Sequence, residues 1–228
     1  MTLIKKSKGI YLDDSCIDLL NDIDTIIFDC DGVLIDITKS YDLAIVKTTQ
    51  YVLENYSKIT NSINVDFKII DGFKSTGGFN DEVDLAYAAI LSLVAAKKLE
   101  KDPTEFIFDV IKNSDSNGIV TVEKYLQNQT DISEIKNQLS YPGTHHDNPL
   151  YQIFDQLFYG SELYKKLFDK DSKFSEPGLI EQDDVIINNS LLELLEKRFN
   201  SKIAMVTGRG KESVSYSLKE LLARFNLK

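Results

Sequence analysis

The sequence predicts an α/β protein in which a large helical insertion interrupts a partial, doubly wound core. Two short apolar runs rich in β-forming residues lead into glycine-containing turns, and they predict buried parallel strands near the two ends of the chain. The 39–175 segment between them has the apolar spacing of amphipathic helices almost throughout. We therefore expect a core formed by residues 1–38 and 176–228, and a helical domain formed by residues 39–175.

The first strand is predicted at Ile26–Phe28, and it ends at a pair of aspartates. Asp29 stops the apolar run, Asp31 follows two residues later, and Gly32 turns the chain. Both carboxylates can therefore face one pocket beyond the carboxyl edge of the sheet, where open α/β sheets bind ligands. Such a pair can supply a nucleophile for phosphorus and an acid for the leaving oxygen. The alternative is an Asp-Gly turn that only closes a core strand.

The second strand is predicted at 202–206, and it ends at the hydroxyl of Thr207. Gly208 and the start of an amphipathic helix follow, and a hydroxyl with backbone N–H groups at such a junction can bind phosphate. Arg209 and Lys211 can add positive charge near the anion. Their alternative is a solvent-facing place in the first turn of the helix.

At these residues the chain resembles the haloacid dehalogenase superfamily of phosphohydrolases. Asp29 and Asp31 match the first motif, Asp-x-Asp-Gly-Val, and Thr207 matches the second, a Ser or Thr after a hydrophobic strand. The segments 72–80 and 176–180 look like one uncharacterised, phosphatase-like branch of its subfamily IA.

The resemblance implies a Rossmann-like core with an inserted helical cap domain. It makes Asp29 the nucleophile that forms an aspartyl-phosphate, Asp31 the general acid/base, and Thr207 a phosphate ligand. It also implies that Asp29 and Asp31 hold Mg²⁺, which offsets the repulsion between the carboxylates and the phosphate. The expected function is the Mg²⁺-dependent hydrolysis of a small phosphorylated metabolite, with Gly208 and Arg209 as further phosphate-binding residues.

Two later motifs of the family, a Lys or Arg and an acidic strand end, are not visible. Residues 211–225 are predicted to form one helix, so no third core strand follows Thr207. The core would then lack its C-terminal strands and expose an unpaired strand edge. The alternative function is therefore a truncated or catalytically impaired subunit that needs a partner chain, or has a binding or regulatory role. A homodimer or a second chain could cover the open edge.

The 72–80 loop is the part of the insertion that we expect to contact the anion. It carries three glycines, which let the backbone approach a ligand, and Lys74, which can bind phosphate. The alternative is a connector between helices, with Asn80 or Asp81 as an N-cap. The pair His145 and His146 lacks the i, i+4 spacing that presents two imidazoles to one metal, so no metal role is expected for it.

Composition excludes several classes of partner. A formal net charge of −10 and the lack of dense basic patches argue against nucleic acids and anionic membranes. No apolar run is long enough to span a membrane. Two cysteines, Cys16 and Cys30, do not form a disulfide framework, so we expect a cytoplasmic protein.

Overall fold

The computed structural model describes residues 3–60, 63–144 and 147–225, apart from the side chains of Leu3 and Asp14. The described elements are short strands and helices, and helices predominate. The protein is therefore a mixed α/β protein with little sheet.

The chain divides into two compact units. The motif unit consists of Met1–Asp36 and Asp184–Lys228, and the helical unit consists of Ile37–Asp183. The helical unit extends past residue 175 because it includes a 3₁₀ turn, Leu179–Gln182, whose leucine and isoleucine side chains are buried in its core.

Along the chain, the helical unit is inserted between the two segments of the motif unit. The motif unit begins with β1 (Leu3–Ser7), β2 (Ile10–Asp13), α1 (Leu19–Asp22), β3 (Ile26–Phe28) and β4 (Ile35–Asp36). The helical unit contains α2 (Tyr41–Asn55), α3 (Phe67–Lys74), α4 (Glu82–Lys98), α5 (Pro103–Lys112), α6 (Ile119–Gln127), α7 (Ser133–Leu139) and α8 (Pro149–Phe168). The motif unit resumes with β5 (Asp184–Val185), α9 (Asn189–Phe199), β6 (Ile203–Met205) and α10 (Lys211–Leu218).

Helix α4 is the centre of the helical unit. Thirteen of its 17 residues are buried, and it packs against α2, α5, α6 and α8. A helix that is apolar all round must be surrounded by other elements, because no face of it prefers water. Asp81 is its N-cap, since the carboxylate accepts a hydrogen bond of 2.8 Å from the amide of Val83.

The helices predicted from apolar spacing are confirmed. The predicted 41–56 helix is α2, the helix predicted around 83–94 is α4, and the segment predicted from Pro149 to Phe168 is α8. Asp102-Pro103 opens α5 as expected, because the Asp102 side chain accepts a hydrogen bond from the Glu105 amide and Pro103 occupies the first turn.

The 72–80 loop packs closely against another turn of the helical unit. A Cβ atom on Gly78 would lie 2.5 Å from the carbonyl oxygen of Asp115 and 2.5 Å from the amide nitrogen of Gly118. Only glycine allows this approach of two backbones. Gly78 is therefore explained by packing, and Asp81 by its role as the N-cap of α4, as the connector interpretation predicts.

Helix α8 is broken at Gly160. This residue has a φ of 72° and a ψ of 172°, which lie far from α-helical values. The backbone of Gly178 lies directly against Gly160. A Cβ on Gly160 would lie 2.4 Å from the amide nitrogen of Gly178. The glycines at 160 and 178 thus let the segment that leaves the helical unit pass directly against α8.

The described part of the motif unit contains three two-stranded sheets. Strand β3 pairs with β6 in parallel, with Ile26 opposite Ile203 and Phe28 opposite Met205. Strand β4 pairs with β5 antiparallel, and β1 forms an antiparallel hairpin with β2. The parallel pair is the part of the fold that positions the candidate site.

The prediction of one helix over residues 211–225 is wrong in its second half. Helix α10 ends at Leu218, because Lys219 has a φ of 50°, and a 3₁₀ helix, Lys219–Arg224, follows. Val214 and Leu218, which precede this break, are buried as expected, and Leu221 and Leu222, which follow it, are half-buried.

No described helix combines the length and the apolar composition needed to cross a membrane.

Candidate active site

Asp29 and Asp31 follow β3 in a tight turn. The carbonyl oxygen of Cys30 accepts hydrogen bonds from the amides of Leu34 at 2.8 Å and Ile35 at 3.1 Å. Cys30 is completely buried, whereas the aspartates before and after it in the sequence reach the surface. Asp29 is exposed, and its Oδ1 accepts a hydrogen bond of 2.7 Å from the Cys30 amide. The turn fixes the backbone of both acids and leaves the Asp29 carboxylate open to solvent.

Thr207 follows β6 at the same end of the sheet. The amide of Val206 donates a hydrogen bond of 2.9 Å to the carbonyl of Phe28, which continues the parallel ladder to the last residue before Asp29. Thr207 is half-buried, and its Oγ1 accepts a hydrogen bond of 3.0 Å from the Arg209 amide. The register thus brings the two motifs to one carboxyl edge, although about 180 residues separate them.

The other end of this sheet is held by an exposed ion pair. Lys202 precedes β6, and its ammonium group contacts the carboxylate of Asp24, which precedes β3. The hydrogen bond from Lys202 lowers the pKa of Asp24. Because the pair joins the starts of both strands, it supports the register that aligns their ends.

Arg209 joins the two motifs directly. Its Nη1 donates to Oδ1 of Asp31 at 2.9 Å, and none of its side chain is exposed, whereas 28% of the Asp31 side chain is. Its Nε donates to Ser213 Oγ at 2.7 Å and its Nη2 to Ser217 Oγ at 3.1 Å. The predicted phosphate-binding residue therefore contacts the candidate acid in this structure.

Gly208 is exposed beside Thr207. A Cβ on Gly208 or on Gly210 would meet no atom within 4 Å, so no packing contact in the described parts of the chain requires either glycine. The absence of side chains leaves the backbone accessible at the start of α10, where N–H groups lack partners within the helix.

Lys74 belongs to the helical unit. Its ammonium group contacts the Asp42 carboxylate at 3.3 Å, and about a third of its side chain is exposed. The structure brings Asp29, Asp31, Thr207, Gly208 and Arg209 together within the motif unit, and it pairs Lys74 within its own unit.

A cavity of about 450 Å³ lies beside β6 and α10. The residues that line it are Met205, Val206, Thr207, Arg209, Lys211, Val214 and Leu222. Four of these residues are apolar, and Thr207 and Lys211 add a hydroxyl and an ammonium group to the lining. The second motif thus borders an open groove as well as the two aspartates.

A cation site at this edge would have few protein ligands. Over residues 3–60, 63–144 and 147–225, no three His, Cys, Asp or Glu side chains lie close enough to hold a metal ion together. The Asp29 carboxylate and the Asp31 backbone carbonyl fit Mg²⁺, which keeps several waters and is held by one or two carboxylates plus substrate phosphate. The Asp31 side chain fits less well, because it faces Arg209. His145 and His146 lie outside the described residues.

Comparison with known proteins supports this picture at the level of the fold. Phosphatase Tt82 from Thermococcus thioreducens is similar, with a TM-score of 0.59 and 24% identity, over 88% of this chain and 70% of that protein. An X-ray structure from the Northeast Structural Genomics Consortium has a TM-score of 0.60 and 16% identity, over 90% of this chain and 68% of that one. The chain therefore shares its fold with a phosphatase. No protein-family model and no curated protein matches it.

Within this phosphatase-like fold, sequence reasoning missed Ser213 and Ser217. The two serines are four residues apart on α10, and both accept hydrogen bonds from Arg209. The available signal was their i, i+4 spacing just after an arginine that precedes the helix, because such spacing places two hydroxyls on one helix face.

Proposed function

We propose that the protein is a Mg²⁺-dependent phosphohydrolase that acts on a small phosphorylated metabolite through an aspartyl-phosphate at Asp29. The observation that carries this proposal is the meeting of Asp29, Asp31 and Thr207 at one carboxyl edge, held by the β3–β6 register and by the ion pair between Arg209 and Asp31. The phosphatase-like fold supports it.

Asp29 is the proposed nucleophile, because its carboxylate is exposed and its backbone is fixed by the turn. It attacks phosphorus, the bond to the leaving oxygen breaks, and Asp31 gives that oxygen a proton. Water then attacks the phosphorus of the aspartyl-phosphate, Asp31 takes a proton from this water, the bond between phosphorus and the Asp29 oxygen breaks, and inorganic phosphate leaves. Asp31 is ionised once it has given up its proton, and this is the form that acts as the base in the second half.

The phosphate is held by the second motif. The Thr207 hydroxyl and the backbone beside Gly208 are the proposed ligands of its oxygens. The Asp29 carboxylate and the Asp31 carbonyl are the proposed protein ligands of Mg²⁺, which would neutralise phosphate charge when bound. We further propose that the motif unit is a Rossmann-like core and that the helical unit is its cap, with Lys74 as a substrate-contacting residue.

A second candidate function is favoured by the surface of the motif unit. Of the 16 exposed large apolar residues in the described parts of the chain, 13 lie in this unit, although it is the smaller one. They include Ile27 in the middle of β3, which is 62% exposed, and Val206 after β6, which is 68% exposed. Such a surface suits a subunit whose open sheet is covered by a second chain or by a second copy.

An assay of aryl phosphate hydrolysis with Mg²⁺, carried out on protein of known oligomeric state, distinguishes the two candidate functions. If the chain is a phosphohydrolase, it releases phosphate, and Asp29→Asn abolishes release because amide nitrogen cannot form the acyl phosphate. Asp22→Asn is the matched control, since it removes the same charge from an exposed helical position in the same unit. Activity of a monomer would contradict the second candidate, and wild-type inactivity in every oligomeric state would contradict the first.

A further inference from the structure

The Arg209 side chain is fully buried. Its Nη1 donates a hydrogen bond to Asp31, its Nε donates to Ser213, and its Nη2 donates to Ser217. A buried guanidinium must have its charge and its N–H groups matched, because an unpaired buried charge is strongly destabilising. Here the carboxylate of Asp31 supplies the charge, and two serine hydroxyls supply further acceptors.

Ser213 and Ser217 hold this arrangement from the side of α10. Ser213 is buried, and Ser217 also donates a hydrogen bond of 3.2 Å to the Ser213 carbonyl, which anchors it to the helix. Because two N–H directions of a planar guanidinium are fixed by α10, the direction of the third is fixed as well. That third direction leads to Oδ1 of Asp31.

We propose that Arg209, Ser213 and Ser217 are positioning residues that hold the carboxylate of Asp31 for its role in the reaction, and that Arg209 is not a ligand of the phosphate. This inference rests on the proposed function. A guanidinium with no exposed surface could reach a ligand at the exposed Asp29 only by leaving Asp31 and both hydroxyls. The turn fixes the backbone of Asp31, and Arg209 fixes its side chain.

Kinetics separates a positioning role from phosphate binding. In the Ser213→Ala/Ser217→Ala double variant, Arg209 keeps its charge but loses the hydroxyls that direct it, so Asp31 is less well placed. We expect kcat to fall about 10-fold, which is less than the ~100-fold that a misplacement of about 1 Å can cost, with KM unchanged. Arg209→Lys should lower kcat similarly, since an ammonium group lacks the planar fork.

Ser215→Ala is the matched control for the double variant. Ser215 lies on the same helix, is exposed, and donates to the Lys211 carbonyl instead of contacting Arg209. It should leave kcat and KM at the wild-type values. A raised KM at constant kcat in Arg209→Lys, or an unchanged kcat in the double serine variant, would overturn the proposal.

A measurement that needs no turnover tests the same contacts. The chain has three arginines, Arg198, Arg209 and Arg224, so ¹⁵N spectra of arginine side chains are simple to assign. The Nη groups of Arg209 should give separate, slowly averaging signals. Those of Arg198, which is exposed and donates one hydrogen bond from Nη2 to the Leu20 carbonyl, should average faster. In both the Asp31→Asn variant and the double serine variant, the separate Nη signals of Arg209 should become averaged.

The kinetic and the NMR measurements together distinguish the positioning inference from the proposed phosphohydrolase function. Fully averaged Arg209 signals in the wild type would overturn the positioning inference even if the enzyme is active. Fixed signals in a chain with no phosphatase activity would defeat the proposed function alone, and would leave the arrangement around Asp31 established.

Discussion

Asp155 is a buried carboxyl group on α8, and only 8% of its surface is exposed. Burial, with a smaller contribution from the nearby Asp81 carboxylate, raises its pKa from an ordinary value of 3.8 to about 7. Between these two values the folded protein keeps a proton that the unfolded chain loses. The free energy of unfolding should therefore fall as the pH rises from about 4 to about 7, and then level off.

Asp155→Asn should remove most of this pH dependence, because an amide has no proton to lose in this range. We expect urea unfolding to show a wild-type protein that is less stable at pH 8 than at pH 5, and a variant whose stability differs little between them. Asp71→Asn is the control, since Asp71 is exposed and its carboxylate stays solvated in both states. A variant with the full wild-type pH dependence would show that Asp155 is not the group responsible.

At this same scale, sequence reasoning could identify the acids and the hydroxyl but not the partner of Arg209. Asp29, Asp31 and Thr207 each stand at the end of an apolar run, so local pattern alone predicts where they lie. The pairing of Arg209 with Asp31 depends on the distance between two strand ends and on the face of α10 that carries Ser213. None of these is encoded in a short window of sequence.

Among the elements, the turn after α3 depends on close backbone contact. Gly78→Ala would place a Cβ atom 2.5 Å from backbone atoms of both Asp115 and Gly118, and backbone atoms cannot rotate away as a side-chain end can. We expect a loss of about 2–4 kcal/mol in the free energy of unfolding, in the range of severe packing changes. Thermal or urea unfolding measures this loss.

Gly210→Ala is the control for that substitution. A Cβ there meets no atom within 4 Å, and the residue is the N-cap of α10, where alanine in place of glycine has a modest effect. If Gly78→Ala were as stable as Gly210→Ala, the two turns would not pack as closely as the structure describes.

The elements also show where sequence patterns succeed and fail. Helices α2, α4 and α8 are long and strongly apolar on at least one face, so their periodicity is visible in one sequence. The break at Lys219 is invisible, because its left-handed backbone is imposed on a residue type that ordinarily continues a helix. The β1–β2 hairpin was not predicted, since β1 carries the polar sequence Leu-Ile-Lys-Lys-Ser.

For the whole molecule, the two units differ in how much apolar surface they bury. A continuous cluster of 36 buried residues forms the core of the helical unit, whereas ten buried apolar residues are found in the described parts of the motif unit. Since stability to local opening follows the buried apolar contacts of each region, the helical unit should open less often.

Hydrogen exchange followed by mass spectrometry should therefore find the slowest amides in α4. Peptides that contain β3 and β6 should exchange at least about 10-fold faster, the factor that corresponds to 1.4 kcal/mol in opening free energy. A partner that covers Ile27 and Val206 would slow the exchange of the motif unit and leave α4 unchanged. Equal protection of both units in the isolated chain would contradict this view of the molecule.

The burial of Cys30 gives the motif unit a natural chemical reporter. Cys30 follows Asp29 and precedes Asp31 in the sequence and has no exposed surface, while Cys16 is partly accessible and is the only other cysteine in the chain. A thiol reagent can reach Cys30 only when the turn that carries both acids comes apart. The rate at which the Cys30 thiol becomes modified therefore measures how often this turn opens, and an anion that binds to the turn should slow the modification.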